Sequence, residues 1–385
     1  MESVVRVFHP PGKSYFLFGP RGTGKSTWVK HLHADATVID LLEPEVYRSY
    51  KSHPGRLREA VEAKTGPHVF LIDEIQKVPS LLSLVHALIE EDKSRQFILT
   101  GSSARKLKRD GVDLLGGRAL LTHMHPFMAC ELDENFSLDK ALHFGMLPLI
   151  YQSETANADL KAYLALYMKE EVQMEGLVRN VDEFAQFLEI ISFSQGNVLN
   201  YSNIARECGV SGKSVENYVS ILEDLLLAFK VPVFSKRAKR ILVVKPKFYY
   251  FDAGVYRAIR PKGPLDFQEE LGGIALETLV AQHLRAWIDY SEAEGKLFYW
   301  RTKSGLEVDF VMYGELGFCA IEVKHTTNVN QQDLKGLNEF KKDYPEAQCV
   351  LLYRGKEILR KGDVMCYPVD LFFKALIPNQ AIEIR

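Results

Sequence analysis

Hydrophobic and polar positions along the chain fall into two alternating regimes. Three short apolar runs, "SYFLF", "HVFLI" and "RQFIL", each end in glycine or acidic and hydroxyl residues, and each predicts a buried strand. A fourth strand is predicted in "RALLTHMHPF". Further along, "LKAYLALYMKEEVQMEGLV" places apolar residues at helical spacing with charges opposite. In that helix Glu170, Glu171 and Glu175 read as solvated acids. "NYSNIARECGVSGKSVENYVSILEDLLLAFKV" predicts two helices joined by a tight turn. Ser202 opens the first, Gly209 ends it, and Ser211 or Ser214 caps the second. A β-hairpin follows in "LLLAFKVPVFSKRAKRILVVKPKFYYFD", then a helix in "GIALETLVAQHLRAWI" and two strands in "LEVDFVM" and "CAIEVKH".

At 385 residues the chain exceeds one ordinary core, so two or three domains are expected. A hydrophobic fraction of 46% and a charged fraction of 25% are those of a globular protein. The net charge of −2 gives no whole-chain reason for a polyanionic partner, although local patches still count. No apolar run approaches the roughly 18 residues that span a bilayer, so no membrane is expected. The opening "MESVVRVFHPPGK" lacks the basic-then-apolar order of a secretory signal. Five dispersed cysteines, Cys130, Cys208, Cys319, Cys349 and Cys366, argue for reduced thiols in the cytoplasm rather than a disulfide frame or structural zinc.

Residues Gly19, Pro20, Arg21, Gly22, Thr23, Gly24, Lys25 and Ser26 fit G-x-x-x-x-G-K-[ST] at every fixed position, followed by Thr27. The glycines let consecutive N–H groups curl around a phosphate, and the helix N-terminus adds its positive dipole end. Lys25 then reaches the β/γ oxygens of ATP, and the Ser26 hydroxyl coordinates Mg²⁺. "HVFLIDEIQKV" supplies the complement: Asp73 at a strand end holds Mg²⁺, and Glu74 polarises the attacking water. The plainer role for Glu74 is an acid favoured at a helix start.

The P-loop, "LIDEIQKVPSLL", "ILTGSSARKL", "LLGGRALLTHMHPF" and the later "GLEVDFV…IEVK" together resemble the prokaryotic AAA-type ATPases that carry a DUF4143 carboxy-terminal domain. The resemblance covers nearly the whole chain. It implies a polar sensor residue after the third strand, at Ser102 or Ser103, and an arginine finger at Arg118 that neutralises transition-state charge, often from a neighbouring subunit of a homo-oligomer. A solvated arginine is the alternative at Arg118. In "LLGGR", Gly116 stands where a small residue is expected.

The spacing Ala205, Gly209, Val215 resembles a helix-turn-helix, and with the hairpin it predicts a winged helix over 181–252. Between Lys230 and Tyr250 lie seven basic residues (Lys230, Lys236, Arg237, Lys239, Arg240, Lys245, Lys247) and no acid, which suits phosphate contacts on DNA. Lys213 and Asn217 are the base-edge candidates on the second helix. Such modules also serve as protein-binding elements.

In "LEVDFVM", Glu307 and Asp309 share one face; in "CAIEVKH", Glu322 and Lys324 share another. Paired, the strands bring all four charges to one side. This resembles a PD-(D/E)xK nuclease core, with Glu277 as the helical acid. The resemblance implies Asp309 and Glu322 as Mg²⁺ ligands, Lys324 as the residue that orients the attacking water, the Val323 carbonyl as a further ligand, and Glu307 assisting. Val308 stands where a proline is expected before the acid. The alternative is a half-exposed sheet with cross-strand charge pairs. His283 and His325 lie close by and read as structural.

The expected architecture is α/β: an AAA-type P-loop domain over 1–135, a helical linker or lid over 136–180 beside the nucleotide, a winged helix over 181–252 and a nuclease-like α/β domain over 253–385. The expected function is ATP hydrolysis that drives DNA contact and metal-dependent DNA cleavage. The alternative is a nucleotide-dependent switch that binds protein partners through a non-catalytic carboxy-terminal domain.

Overall fold

The structure is a computed structural model that describes residues 4–102, 107, 115–168, 181–235, 245–264 and 266–382. Contacts divide the chain into two compact units. The first comprises Phe8–His125 with Asp224–Leu226; the second comprises Met1–Val7, Pro126–Glu223 and Leu227–Arg385. The three segments expected after residue 135 thus fall within one compact unit.

The first unit is built on a parallel sheet of β1 (Tyr15–Phe18), β2 (Thr37–Asp40), β3 (Val69–Asp73), β4 (Gln96–Gly101) and β5 (Leu120–His123), in the order β2-β3-β4-β1-β5. The strand predicted at "RALLTHMHPF" is β5. The interior strands β1, β3 and β4 are nearly all buried, which is why their sequences are continuous apolar runs rather than alternations. Phe16, Phe18, Phe70, Ile72, Phe97 and Leu99 pack with Leu81, Val85 and Leu88 of the helix Leu81–Glu91. Each such side chain contributes about 1.5–3 kcal/mol by burial. Inserting β4 between β1 and β3 sets the ends of three strands side by side: Leu17 is in register with Thr100, and Ile72 with Leu99.

The second unit begins with the residues that precede the first. Arg6 Nε donates to Glu131 Oε1 at 2.9 Å, as does the Val7 amide, while the Met128 amide donates to Glu131 Oε2 at 2.8 Å. The chain entering the first unit and the chain leaving it are therefore fastened together by one buried carboxylate. The long helix predicted from "LKAYLALYMKEEVQMEGLV" starts as Ala156–Ala162 and continues as a π-helical stretch, Tyr163–Met168. Glu170, Glu171 and Glu175 lie outside the described residues.

The two helices of the turn motif are Tyr201–Cys208 and Gly212–Asp224. The first is capped by Asn200, whose side chain accepts from the Asn203 amide at 3.3 Å, and not by Ser202. Gly209 ends it with φ of 68°, and Ser211 accepts from the Ser214 amide at 3.0 Å at the start of the second. Ala205 and Val215 are buried, as the spacing required. The hairpin is an antiparallel pair, β6 (Ala228–Val231) and β7 (Lys247–Tyr250). A second sheet follows: β8 (Gly295–Arg301), β9 (Glu307–Gly314), β10 (Gly317–Lys324), β11 (Gln348–Tyr353), β12 (Leu359–Lys361) and β13 (Val364–Pro368), in the order β12-β13-β11-β10-β9-β8. The helix Gln268–Tyr290 carries Glu277. The five cysteines are free, and no helix among the described residues is long and apolar enough to cross a membrane.

Candidate functional site

In the first unit the loop after β1 carries left-handed backbone at Gly22 (φ 82°) and Gly24 (φ 86°), which glycine adopts without a Cβ clash. Gly24 immediately precedes the helix Lys25–Leu32, and its carbonyl accepts the Trp28 amide at 2.9 Å. Loop glycines followed directly by a helix N-terminus make the anion-binding arrangement the motif predicts. Thr23 Oγ1 donates to the Pro20 carbonyl at 2.8 Å and holds the loop closed on itself. Lys25 is 6% exposed, and its ammonium donates to the carbonyls of Gly19 (2.7 Å) and Pro20 (3.1 Å), so it lies within the loop. Arg21 and Thr27 are exposed, and Ser26 is half-buried in the first helical turn.

Asp73 ends β3 and is buried. Thr100 on the neighbouring strand donates its hydroxyl to Asp73 Oδ1. Glu74 follows in the left-handed region, φ 58° and ψ 48°, an uncommon conformation for a non-glycine residue and one that gathers at functional sites. Burial pushes the Glu74 carboxyl up, Lys25 opposes that shift, and Asp73 reinforces it. Gln76 Nε2 donates to Glu74 Oε2 at 2.5 Å and to Ser102 Oγ at 3.3 Å. A raised carboxyl held by an amide donor suits a group that must take a proton from water. The Ser26 hydroxyl and the Asp73 carboxylate are an oxygen-only donor pair, the kind Mg²⁺ takes alongside phosphate oxygens, so these residues fit that ion.

Sequence reasoning placed the sensor at Ser102 or Ser103. The residue that touches Asp73 is Thr100, while Ser102 touches Gln76; Ser103 lies outside the described residues. Neither Thr100 nor Gln76 was singled out. Strand register was the missing signal, because β4 brings Thr100 level with the end of β3. Arg118 stands just before β5, whose first residue is in register with the start of β1, at the opposite edge of the sheet from the loop. There it donates to Glu90 Oε1 at 2.6 Å and to the Gly116 carbonyl at 3.2 Å.

In the second unit, β9 and β10 run antiparallel with Phe310 opposite Ile321, and the Val323 amide donates to Asp309 Oδ2 at 2.8 Å. Lys324 pairs with Glu322 Oε1 at 2.7 Å. Glu277 joins the same set from its helix, accepting from the Tyr249 hydroxyl at 2.5 Å. The four charges predicted to converge, Glu307, Asp309, Glu322 and Lys324, therefore do so, together with Glu277. What sequence reasoning missed is Lys247, 1% exposed, whose ammonium lies 3.2 Å from Glu277, 3.7 Å from Asp309 and also against Glu307. Counted in the sequence among basic residues for phosphate contact, Lys247 is instead an interior cation. Lys230 likewise pairs with Glu223 at 2.8 Å. Lys213 and Asn217 are exposed; Lys236, Arg237, Lys239 and Arg240 lie outside the described residues.

Burial drives Glu277 up to about 7 although Lys247 pulls it down, and burial raises Glu322 with Asp309 adding to the shift. For Lys247, desolvation lowers the pKa, but the surrounding acids outweigh it and the group is held charged. The expected Mg²⁺ ligands do not fit an ion as they stand. Asp309 Oδ2 is committed to an amide, Glu322 Oε1 to Lys324, and the Lys247 ammonium stands 3.7 Å from Asp309 Oδ1. Among the described residues no three His, Cys, Asp or Glu side chains are grouped to hold a metal. Of the two histidines, His283 is buried against Phe373 with both ring nitrogens bonded, and His325 lies beside Arg354, so both have structural partners.

Family comparison divides the chain in three: residues 11–132 match an AAA domain, 135–266 a domain of unknown function (DUF8612) and 272–372 a domain of unknown function (DUF4143). An uncharacterized protein of Haemophilus influenzae (strain ATCC 51907 / DSM 11121 / KW20 / Rd) is 22% identical over 284 residues, 67% of this chain and 68% of that one. Among solved structures, the Thermotoga maritima RuvB Holliday junction branch migration motor is 15% identical with a TM-score of 0.32, over 57% of this chain and 82% of its own. The replication initiator DnaA bound to AMPPCP and single-stranded DNA is 15% identical with a TM-score of 0.27, over 55% and 82%.

Proposed function

We propose that this chain, which carries an AAA domain followed by a DUF4143 domain, binds ATP with Mg²⁺ and hydrolyses it in its first unit. The observation that carries this reading is the ordered row of groups at the strand ends: Lys25 in the glycine loop, Asp73 held by Thr100, and a raised Glu74 held by Gln76. Lys25 and the loop amides bind and orient the β- and γ-phosphates. Ser26 and Asp73 hold the ion, which withdraws charge from those phosphates when bound. Glu74 orients the attacking water and accepts its proton. Arg118, paired with Glu90 at the far edge of the sheet, serves a neighbouring copy in a homo-oligomer rather than its own site. A Lys25→Ala variant is expected to lose ATP turnover; turnover at the unaltered rate would overturn the assignment.

ATP state is coupled to DNA contact through the helix pair and hairpin of the second unit, with Lys213 and the basic run Lys236, Arg237, Lys239 and Arg240 as phosphate partners. Binding that falls steeply as salt rises, and that a Lys236→Glu/Arg240→Glu double variant abolishes, is the expected outcome. DNA affinity untouched by that variant refutes the coupling. A second reading is favoured by one observation, the buried Lys247 among the acids of the carboxy-terminal sheet. In that reading the DUF4143 domain is a docking platform without cleavage, and the protein is a cytoplasmic switch for protein partners.

A further inference from the structure

Lys247 is positioned by several independent devices rather than left to find its own partners. Its strand is paired with β6 on one side and meets the loop 195–198 on the other, where Gln195 bridges to Phe248 and Val198 to Lys247 itself. Gln195 fixes this loop to both neighbours, accepting the Tyr250 amide at 2.9 Å and donating to Thr278 Oγ1 at 2.8 Å, next to Glu277. The Tyr299 hydroxyl holds the Lys245 carbonyl, and its ring lies 5.6 Å from the Lys247 ammonium. A point charge fixed in this way against carboxylates from a helix and a strand supplies what a bound cation would supply.

The charges bear this out. Four carboxyls, Glu277, Glu307, Asp309 and Glu322, face Lys247 and Lys324, with Arg301 3.3 Å from Glu307. One group in this set remains incomplete: Glu322 Oε2 is buried and has no hydrogen-bond partner. A buried carboxylate oxygen without a donor is destabilising. It is the oxygen left open to a cation once the Lys247 ammonium is removed.

We propose that Lys247 is the resident cation of this carboxylate cluster and excludes divalent metal from it, so that Glu277, Asp309 and Glu322 can draw together around a divalent cation only when the Lys247 ammonium is removed. Lys247 acts here as an occluding residue. In the unaltered protein the cluster is a charge-paired link between the hairpin, the long helix and the sheet. The inference concerns a site apart from the glycine loop and is independent of ATP hydrolysis.

Nucleotide-free full-length protein is titrated with Mn²⁺ and free ion is read by electron paramagnetic resonance. Alongside it run Lys247→Met, Lys247→Gln, and each combined with Asp309→Asn. Melting temperature with and without Mn²⁺ is recorded for every variant, since removing the ammonium leaves buried carboxylates facing one another. The expected result is one Mn²⁺ bound by Lys247→Met and Lys247→Gln at least ten-fold more tightly than by the unaltered protein, with a melting temperature raised by Mn²⁺. Both effects disappear when Asp309→Asn is added. Binding by the unaltered protein that Asp309→Asn abolishes would overturn the inference, because the lysine would then not occlude the site. Folded Lys247 variants that gain no Mn²⁺ affinity would overturn it equally. Because no nucleotide is present, failure of the ATPase assignment leaves this readout unmoved.

Discussion

Replacing Thr100 by valine keeps the β-branched shape at a fully buried position and deletes a hydroxyl that donates to Asp73. The donor is neutral and the acceptor a carboxylate at the strand end, so the bond belongs to the charge-assisted class, about 1.5–3 kcal/mol. If the whole of that loss falls on the step in which Asp73 holds the ion, hydrolysis slows roughly 10–100-fold. Nucleotide affinity should change little, because the loop amides and Lys25 lie on another segment. Single-turnover hydrolysis of ATP at saturating Mg²⁺, set beside binding of a fluorescent nucleotide, separates the two effects. Urea denaturation shows whether the folded fraction at assay temperature has changed. Thr100→Ser, which restores the hydroxyl, should recover most of the rate. The reasoning fails if Thr100→Val hydrolyses within two-fold of the unaltered protein while Ser102→Ala carries the loss.

Glu74→Gln should retain ATP binding and lose at least about 100-fold in turnover, the usual contribution of a positioned base, measured as phosphate release under the same conditions. His283 makes a pH prediction. Burial depresses it from 6.5 to about 4, and its Nε2 accepts the Ala129 amide at 3.1 Å, so the neutral ring is the stable one in the fold. Its contribution is therefore fully present above pH 6.5 and lost as pH falls toward 4, up to about 3 kcal/mol. Urea midpoints of His283→Gln should be lower at pH 7.5 and flatter across that window than those of the unaltered protein; parallel curves would sink the account. Gly145→Ala places a Cβ against the Asp252 carboxylate at a left-handed position (φ 77°), where Asp252 also accepts the Met146 amide at 2.7 Å and caps the helix Ala253–Ile259. It should cost about 2–4 kcal/mol, read as a lowered urea midpoint of the second unit with nucleotide binding unchanged.

The glycine loop and the acidic end of β3 were legible because their chemistry is local: the residues that act are adjacent in sequence, and the apolar runs around them have one reading. The charges of β9 and β10 were legible for a similar reason, since period-two alternation fixes which residues share a face. Thr100, Gln76 and Lys247 were not, because each acquires its role from a neighbour far along the chain. Thr100 depends on which strand stands beside β3. Lys247 sits in a run of basic residues, and composition assigned it to the exterior with the rest. Only the crossing of β7 with the helix Gln268–Tyr290 brings Glu277 to it, and that pairing leaves no mark in either local pattern. The cap of the first turn-motif helix moved from Ser202 to Asn200 because both are good caps and local preference does not choose between them.

The clasp of Arg6 and Val7 on Glu131 sets an order of synthesis. Arg6 and Val7 are synthesised before the first unit yet belong to the second, which awaits β13, ending at Pro368. At roughly 5–20 residues per second these two residues wait tens of seconds for that unit to be complete, while the glycine-loop unit, which lies between them and Glu131 in the sequence, can already fold. The glycine-loop unit thus stands in the sequence as an insertion within the second unit. Removing Arg6 and Val7 should be felt first in the second unit.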